Sequence, residues 1–179
     1  GRRLLNTLDS VLQLSKLEAG GRSLDYQRVH LDEEARTVAK EQRARPEAEG
    51  IEIRAETASQ PTYGYCDPTA VQRILTNLVS NGIKFTEPGD EVIVRVDQHD
   101  DNARLEVEDA GIGMSQSFQE EMFEAFKQES SGLAREYEGS GLGLSIVKEL
   151  VDRHDGSLDV ESTPGEGTTM TVHLPLHEG

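Results

Sequence analysis

The junction Gly139-Ser140-Gly141-Leu142-Gly143-Leu144, where alternate glycines run into an apolar helical pattern, constrains this chain more than any other stretch. Glycines at every second position leave backbone N–H groups bare and open to close approach by a ligand. A helix starting directly behind them adds its own unpaired N–H groups and the positive end of its dipole. Such a junction is an anion site, most often for phosphate.

Bulk properties bound what such a site can serve. With 179 residues, 35% hydrophobic and 29% charged, the chain suits one globular domain with a real core. No stretch approaches the roughly 20 apolar residues of a membrane span, and no signal-peptide pattern opens the sequence. A formal net charge of −16 argues against nucleic acid or an anionic membrane surface as partner. The single cysteine, Cys66, cannot close an internal disulfide, which fits a cytoplasmic setting and a structural thiol. Lysine is scarce, and the acidic surface would suit high salt. That field repels an anionic ligand, so local N–H groups, a metal ion and a few cations must outweigh it.

Along the chain, Leu4, Leu5, Leu8, Val11, Leu12 and Leu17 recur at helical spacing up to the stop at Ala19-Gly20-Gly21. The uncapped start reads as the end of a longer helix. A second helix is predicted from Leu31 to Ala48, and a strand over Ile51–Glu56. Asp67-Pro68 carries an N-cap and a first-turn proline, opening a helix to about Ile83. Strands follow at Glu91–Gln98 and Ala103–Asp109, then a mostly irregular stretch from 110 to 140 with a short helix at Gln119–Phe126. A helix at Leu142–Arg153 and strands at Ser157–Glu161 and Thr168–Leu174 complete the pattern. Strands and helices mix without strict alternation, which favours a two-layer α/β sandwich of the α+β class over a doubly wound sheet. The long irregular stretch reads as a functional lid.

Three further segments carry chemistry. On the helix from Asp67, the stripe Val71, Ile74, Leu75 and Leu78 faces the core, while Asn77, Asn81 and Lys84 share another face. Two amides and an ammonium there could hold a metal ion and a phosphate, or simply form a solvated face. Asp109-x-Gly111-x-Gly113 follows a strand directly, either as a turn or as an acceptor for the amino group of a base. Phe123 and Phe126 fit core packing or a lid hinge.

Taken in order, Asn77-x-x-x-Asn81-x-x-Lys84-Phe85-Thr86, Asp109-x-Gly111-x-Gly113, Phe123-x-x-Phe126 and Gly139-x-Gly141-x-Gly143 closely resemble the four nucleotide boxes of the sensor histidine kinase catalytic domain. That domain shares a superfamily with gyrase B, Hsp90 and MutL. The resemblance spans roughly Ser23 to Leu176. It implies a Bergerat-type fold, a mixed sheet packed against helices, with residues 23–179 as the catalytic ATP-binding domain. Residues 1–22 resemble the end of the second dimerisation helix.

By this resemblance, Asn81 would bind Mg²⁺ bridging the phosphates of ATP, with Asn77 beside it and Lys84 on phosphate. Phe85 would lie against adenine. Asp109 would accept from the adenine amino group, helped by Gly111, Gly113 and Thr168. The backbone of Gly139, Gly141, Leu142 and Gly143 would hold phosphates, and residues from about Lys127 to Glu138, with Lys127 and Arg135, would form the lid. The implied reaction moves the γ-phosphoryl group to a histidine on the chain's own dimerisation domain, in a homodimer that serves a response regulator receiver domain. The acceptor is expected upstream of Gly1. His30, His99, His154, His173 and His177 lack a suitable helical and acidic setting, so the fragment is expected to bind ATP without phosphorylating itself. Two other readings stand beside this one. A gyrase–Hsp90–MutL-type hydrolase would carry a glutamate where Asn77 stands. An inert nucleotide-binding module would keep the boxes without the chemistry.

Overall fold

The computed structural model describes residues 23–127 and 141–177. The predicted N-terminal helix and most of the predicted lid, with Arg135 and Gly139, lie outside the described residues. In chain order the elements are β1 (Gln27–His30), α1 (Leu31–Arg43), a single 3₁₀ turn (Pro46–Ala48), β2 (Glu52–Thr57), β3 (Tyr63–Cys66) and α2 (Pro68–Phe85). They continue with β4 (Glu91–His99), β5 (Asn102–Asp109), α3 (Gln116–Lys127), α4 (Gly141–Arg153), β6 (Ser157–Thr163) and β7 (Gly167–Pro175).

Five strands form a mixed sheet in the order β2-β4-β5-β7-β6, with β2 parallel to β4 and the other pairs antiparallel. The strands predicted at 91–98, 103–109 and 168–174 are present, and alternate residues of each line one face of the sheet. Val92, Val94 and Val96, Ala103, Leu105 and Val107, and Met170, Val172 and Leu174 face the helices and are buried. The opposite face carries charge, where Arg95 bridges Glu56, Glu106 and Glu108. One apolar and one polar face are what an antiparallel sheet under a single helix layer requires.

Helix α2 is the central element of that layer. Asp67 caps it as predicted: its Oδ1 accepts from the N–H groups of Thr69 (2.8 Å) and Ala70 (3.1 Å). Val71, Ile74, Leu75 and Leu78 are buried, and α1 and α4 flank the helix. The prediction for α1 ran too far. Pro46 ends helical geometry, and only the short 3₁₀ turn lies beyond Arg43. The strands β1 and β3 were missed; they are four-residue partners in a separate two-stranded sheet, too short to show a period. The helix expected at Gln119–Phe126 is longer at both ends.

Below β1 and β3, His154 ties the helices together. Its Nδ1 donates to the Leu150 carbonyl at 2.6 Å, and its Nε2 accepts the Asp67 N–H at 3.1 Å, which fixes the neutral tautomer. Tyr26 lies edge-on to the His154 ring, stacks on Tyr65 and donates its hydroxyl to the Arg153 carbonyl. Cys66 is buried, and desolvation pushes its thiol up to about 12, in keeping with a structural role.

Candidate functional site

The C-terminus of α2 and its side along α4 organise the site. At its C-terminus the backbone turns into β4, and the Phe85 carbonyl, left without an intrahelical partner, accepts the Ile112 N–H at 3.1 Å. The loop after β5 is thereby attached to the helix end. A Cβ on Gly111 would come within 2.1 Å of that same carbonyl oxygen, so only glycine fits. Gly113 sits at φ +70, and a Cβ there would come within 2.1 Å of the Thr163 carbonyl oxygen. The loop is closed from the other side by Gly165, whose N–H donates to the Ile112 carbonyl at 2.7 Å.

Asp109 ends β5 inside this clasp and is only 6% exposed. Its Oδ1 accepts the Gly111 N–H at 2.9 Å. Burial raises its pKa above the ordinary carboxylate value, and the Gly111 and Thr168 N–H groups and the nearby Glu108 charge act less strongly. The net result is a desolvated acceptor next to a loop that admits close approach. Gly82 on α2 packs directly over it, since a Cβ there would lie 3.6 Å from the Asp109 Cβ. Thr168 pairs with Asp109 across β5 and β7 and is likewise buried. Ile112, by contrast, is 59% exposed on the loop between the two glycines.

The second part lies along the α2–α4 seam. The two helices run side by side, and a Cβ on Gly143 would lie 3.2 Å from Asn77 Oδ1. Asn77 Nδ2 donates to the Arg73 carbonyl at 2.9 Å, which turns its oxygen toward the α4 N-terminal turn. One turn on, Asn81 Oδ1 is buried with no hydrogen-bond partner among the described residues. A lone buried amide oxygen is costly unless something supplies a positive partner. Lys84 follows on the same stripe, its Nζ 5.7 Å from the Phe85 ring centroid. Gly141, Leu142 and Gly143 form the first turn of α4. Phe123, Phe126 and Lys127 lie along α3, while Gly139 and Arg135 fall outside the described residues.

The fold therefore brings Asn77, Asn81, Gly141, Leu142 and Gly143 to one seam, and Phe85, Asp109, Gly111, Gly113 and Thr168 to the adjoining loop cluster. No group of three or more His, Cys, Asp or Glu suited to a metal is present among the described residues. Sequence reasoning missed Ser162, whose Oγ contacts the loop and Thr168 at once. The strand predicted at Ser157–Glu161 stopped one residue short of it, whereas β6 runs on to Thr163.

Residues 66–178 match the family of histidine kinase-, DNA gyrase B- and HSP90-like ATPases. The chain belongs to that family. CikA of Synechococcus elongatus, a circadian input-output histidine kinase, is 36% identical over 98% of this chain and 24% of its own length. LuxQ of Vibrio harveyi, an autoinducer 2 sensor kinase/phosphatase, is 37% identical over 99% of this chain and 21% of its own. The chain thus spans about a fifth to a quarter of the length of these two relatives. Full-length ShkA in complex with AMPPNP is 28% identical, superposes with a TM-score of 0.81, and is matched over 98% of this chain and 36% of ShkA. Within the family, then, the chain is an ATP-binding catalytic domain of the histidine-kinase type, and the two-layer α+β expectation holds.

Proposed function

We propose that residues 23–179 present ATP to a phosphoacceptor histidine carried by a dimerisation domain, and that residues 1–22 are the end of that domain's second helix. Relatives matched over nearly all of this chain include a histidine kinase and a sensor kinase/phosphatase, and a homodimer serving a response regulator in the cytoplasm completes the proposal. The observation that carries it is Asn77 at the α2–α4 seam, against Gly143. An amide there orients and cannot take a proton from water, as a hydrolase would require.

In this proposal Asp109 accepts from the adenine amino group, with Gly111 and Gly113 allowing the base to approach and Phe85 lying beside it. Thr168 lines the same end. The backbone of Gly141, Leu142 and Gly143, joined by Gly139, donates to the phosphates from the positive end of α4. Lys84 adds charge on the stripe. Asn81 would hold Mg²⁺ through its Oδ1, which has no partner among the described residues and is a hard oxygen of the kind that ion takes. When bound, Mg²⁺ neutralises charge on the β- and γ-phosphates. Asn77 keeps the α4 turn and the Asn81 stripe in register. The γ-phosphoryl group passes to an imidazole nitrogen while the bond to the β-phosphate oxygen breaks and ADP departs. Positioning and charge neutralisation carry the rate.

The test mixes the chain with Mg-ATP and a separately made dimerisation domain bearing the histidine. Acid-labile phosphate on that partner is the expected result. Steady phosphate release from the chain alone would overturn the kinase reading in favour of a hydrolase, and ATP binding with neither outcome would leave an inert module.

A further inference from the structure

The helix-facing side of the sheet is built in cross-strand rows, and all but one of the central rows are apolar. Val160, Met170, Val107 and Val94 lie in register, as do Leu158, Val172, Leu105 and Val96. The next row, at the end where the loop after β5 departs, reads Ser162, Thr168, Asp109 and Val92. Three polar residues interrupt an otherwise apolar face, and Asp109 and Thr168 are buried. Buried polar groups are kept only where their partners are arranged.

Ser162 stands at the head of that arrangement. Its Oγ accepts the Met114 N–H at 2.7 Å, lies 3.1 Å from the Gly167 carbonyl oxygen and 2.7 Å from Thr168 Oγ1. A serine hydroxyl has one hydrogen and two lone pairs. A carbonyl can only accept, so all three contacts are satisfied together in one way: Ser162 donates to Gly167 and accepts from both Met114 and Thr168. The single hydrogen of Thr168 is then spent on Ser162. What Thr168 retains is acceptor capacity alone, beside the acceptor carboxylate of Asp109.

Resting on the proposal that this end takes the base of ATP, we infer that Ser162 fixes the hydrogen-bond polarity of Thr168 and so selects a 6-amino over a 6-oxo purine. Two neighbouring acceptors suit an exocyclic amino group or a water that relays to it. A 6-oxo purine sets its own carbonyl oxygen against the acceptor-only threonine, and no hydrogen lies between them. Ser162 is a positioning residue in this scheme. It acts on the base through Thr168, and through Met114 it also pins the loop that carries Gly111 and Gly113. Gln119, at the start of α3, braces the same joint by donating to the Met114 and Ser162 carbonyls at 3.0 and 3.2 Å.

The experiment measures the affinities of the whole chain for ATP and inosine triphosphate with Mg²⁺, by calorimetry. Ser162→Ala frees the Thr168 hydroxyl to rotate and donate. The preference for ATP over inosine triphosphate should narrow roughly five-fold, the size of one neutral hydrogen bond, chiefly by a gain for the inosine nucleotide. Ser162→Thr restores the preference. In a Thr168→Val background the Ser162→Ala change should leave the ratio unmoved, which a merely structural role would not predict. An unchanged ratio in folded Ser162→Ala, or the same narrowing without the Thr168 hydroxyl, overturns the inference. Should the alanine variant melt below the assay temperature, Ser162→Cys, with its weak donor, is expected to shift the ratio the same way. Asp109→Asn separates the two levels. Undiminished ATP affinity in that variant sinks the base-reading proposal itself, whereas its loss together with an unmoved Ser162→Ala ratio sinks only the polarity relay.

Discussion

Around Asp109 the polar groups hold one another, whereas at the α2–α4 seam Asn81 keeps a buried oxygen with no partner among the described residues. The first region is locked by the protein before any ligand arrives. Phe85, Ile112 and Gly165 are joined through backbone groups, Met114 is held by the Ser162 hydroxyl, and three glycines (Gly111, Gly113 and Gly167) sit where any Cβ would strike a carbonyl oxygen. The second region keeps one amide oxygen without a partner among the described residues, next to the first turn of α4. A base is neutral and is read by fixed geometry, so preorganisation lowers the cost of binding it. In the proposed reading, phosphates arrive with a cation and supply the missing partners themselves. On that reading the chain stores specificity at one end and leaves charge to be completed at the other. That division also answers the puzzle of an anion site on a chain of net charge −16.

The largest expected effect falls at the locked end. Asp109→Asn should abolish measurable nucleotide binding while circular dichroism and melting report an intact fold, because an amide offers a donor where the base needs an acceptor. Retained ATP affinity would break the contrast at its stronger half. Next comes Asn81→Ala, for which we expect at least a ten-fold loss of ATP affinity in Mg²⁺ and little change in EDTA. Equal losses with and without the metal would mean that the orphan oxygen serves something other than a cation.

Smaller effects test whether the two ends are independent. His154→Ala leaves the buried Asp67 N–H without its acceptor at the far end of the α2–α4 pair. Stability should fall by roughly 2 kcal/mol in urea titrations. The relative affinities for ATP and inosine triphosphate should stay as they were. A changed base preference would show that helix spacing reaches the Asp109 row. The least effect is a pH slope. Burial holds the Asp109 carboxyl above 3.8 in the folded chain. As pH rises from that value, the unfolded state loses its proton first, so stability falls until the folded pKa is passed. Relative to Asp109→Asn, the wild type should lose stability across that window and run parallel to it above. A difference that grows in the opposite direction would contradict the desolvated setting of the carboxylate.

How much of this was legible beforehand varies by element. The start of α2 could be read from Asp67-Pro68, because an N-cap and a first-turn proline act on N–H groups two and three residues away. The apolar stripe on that helix and the alternation in β4, β5 and β7 were readable for the same local reason. Four ordered nucleotide motifs carried the family, which the match over residues 66–178 bears out. The small β1–β3 sheet left no readable trace, since four-residue strands carry only two periods of alternation.

By itself, then, the sequence determined where most of the described helices and the principal strands lie and which residue types the proposed nucleotide end can draw on, because those depend on neighbours a few positions away. The tertiary structure alone decided which of those residues act together. Ser162, Thr168 and Asp109 share a row only because β5, β7 and β6 pair in one register, and a shift of one residue would turn each to the other face. Asp67 and His154 meet only because α2 and α4 pack side by side. Hydrogen-bond polarity, burial and the orphaned oxygen of Asn81 follow from such long-range pairings, on which short-range spacing has no hold.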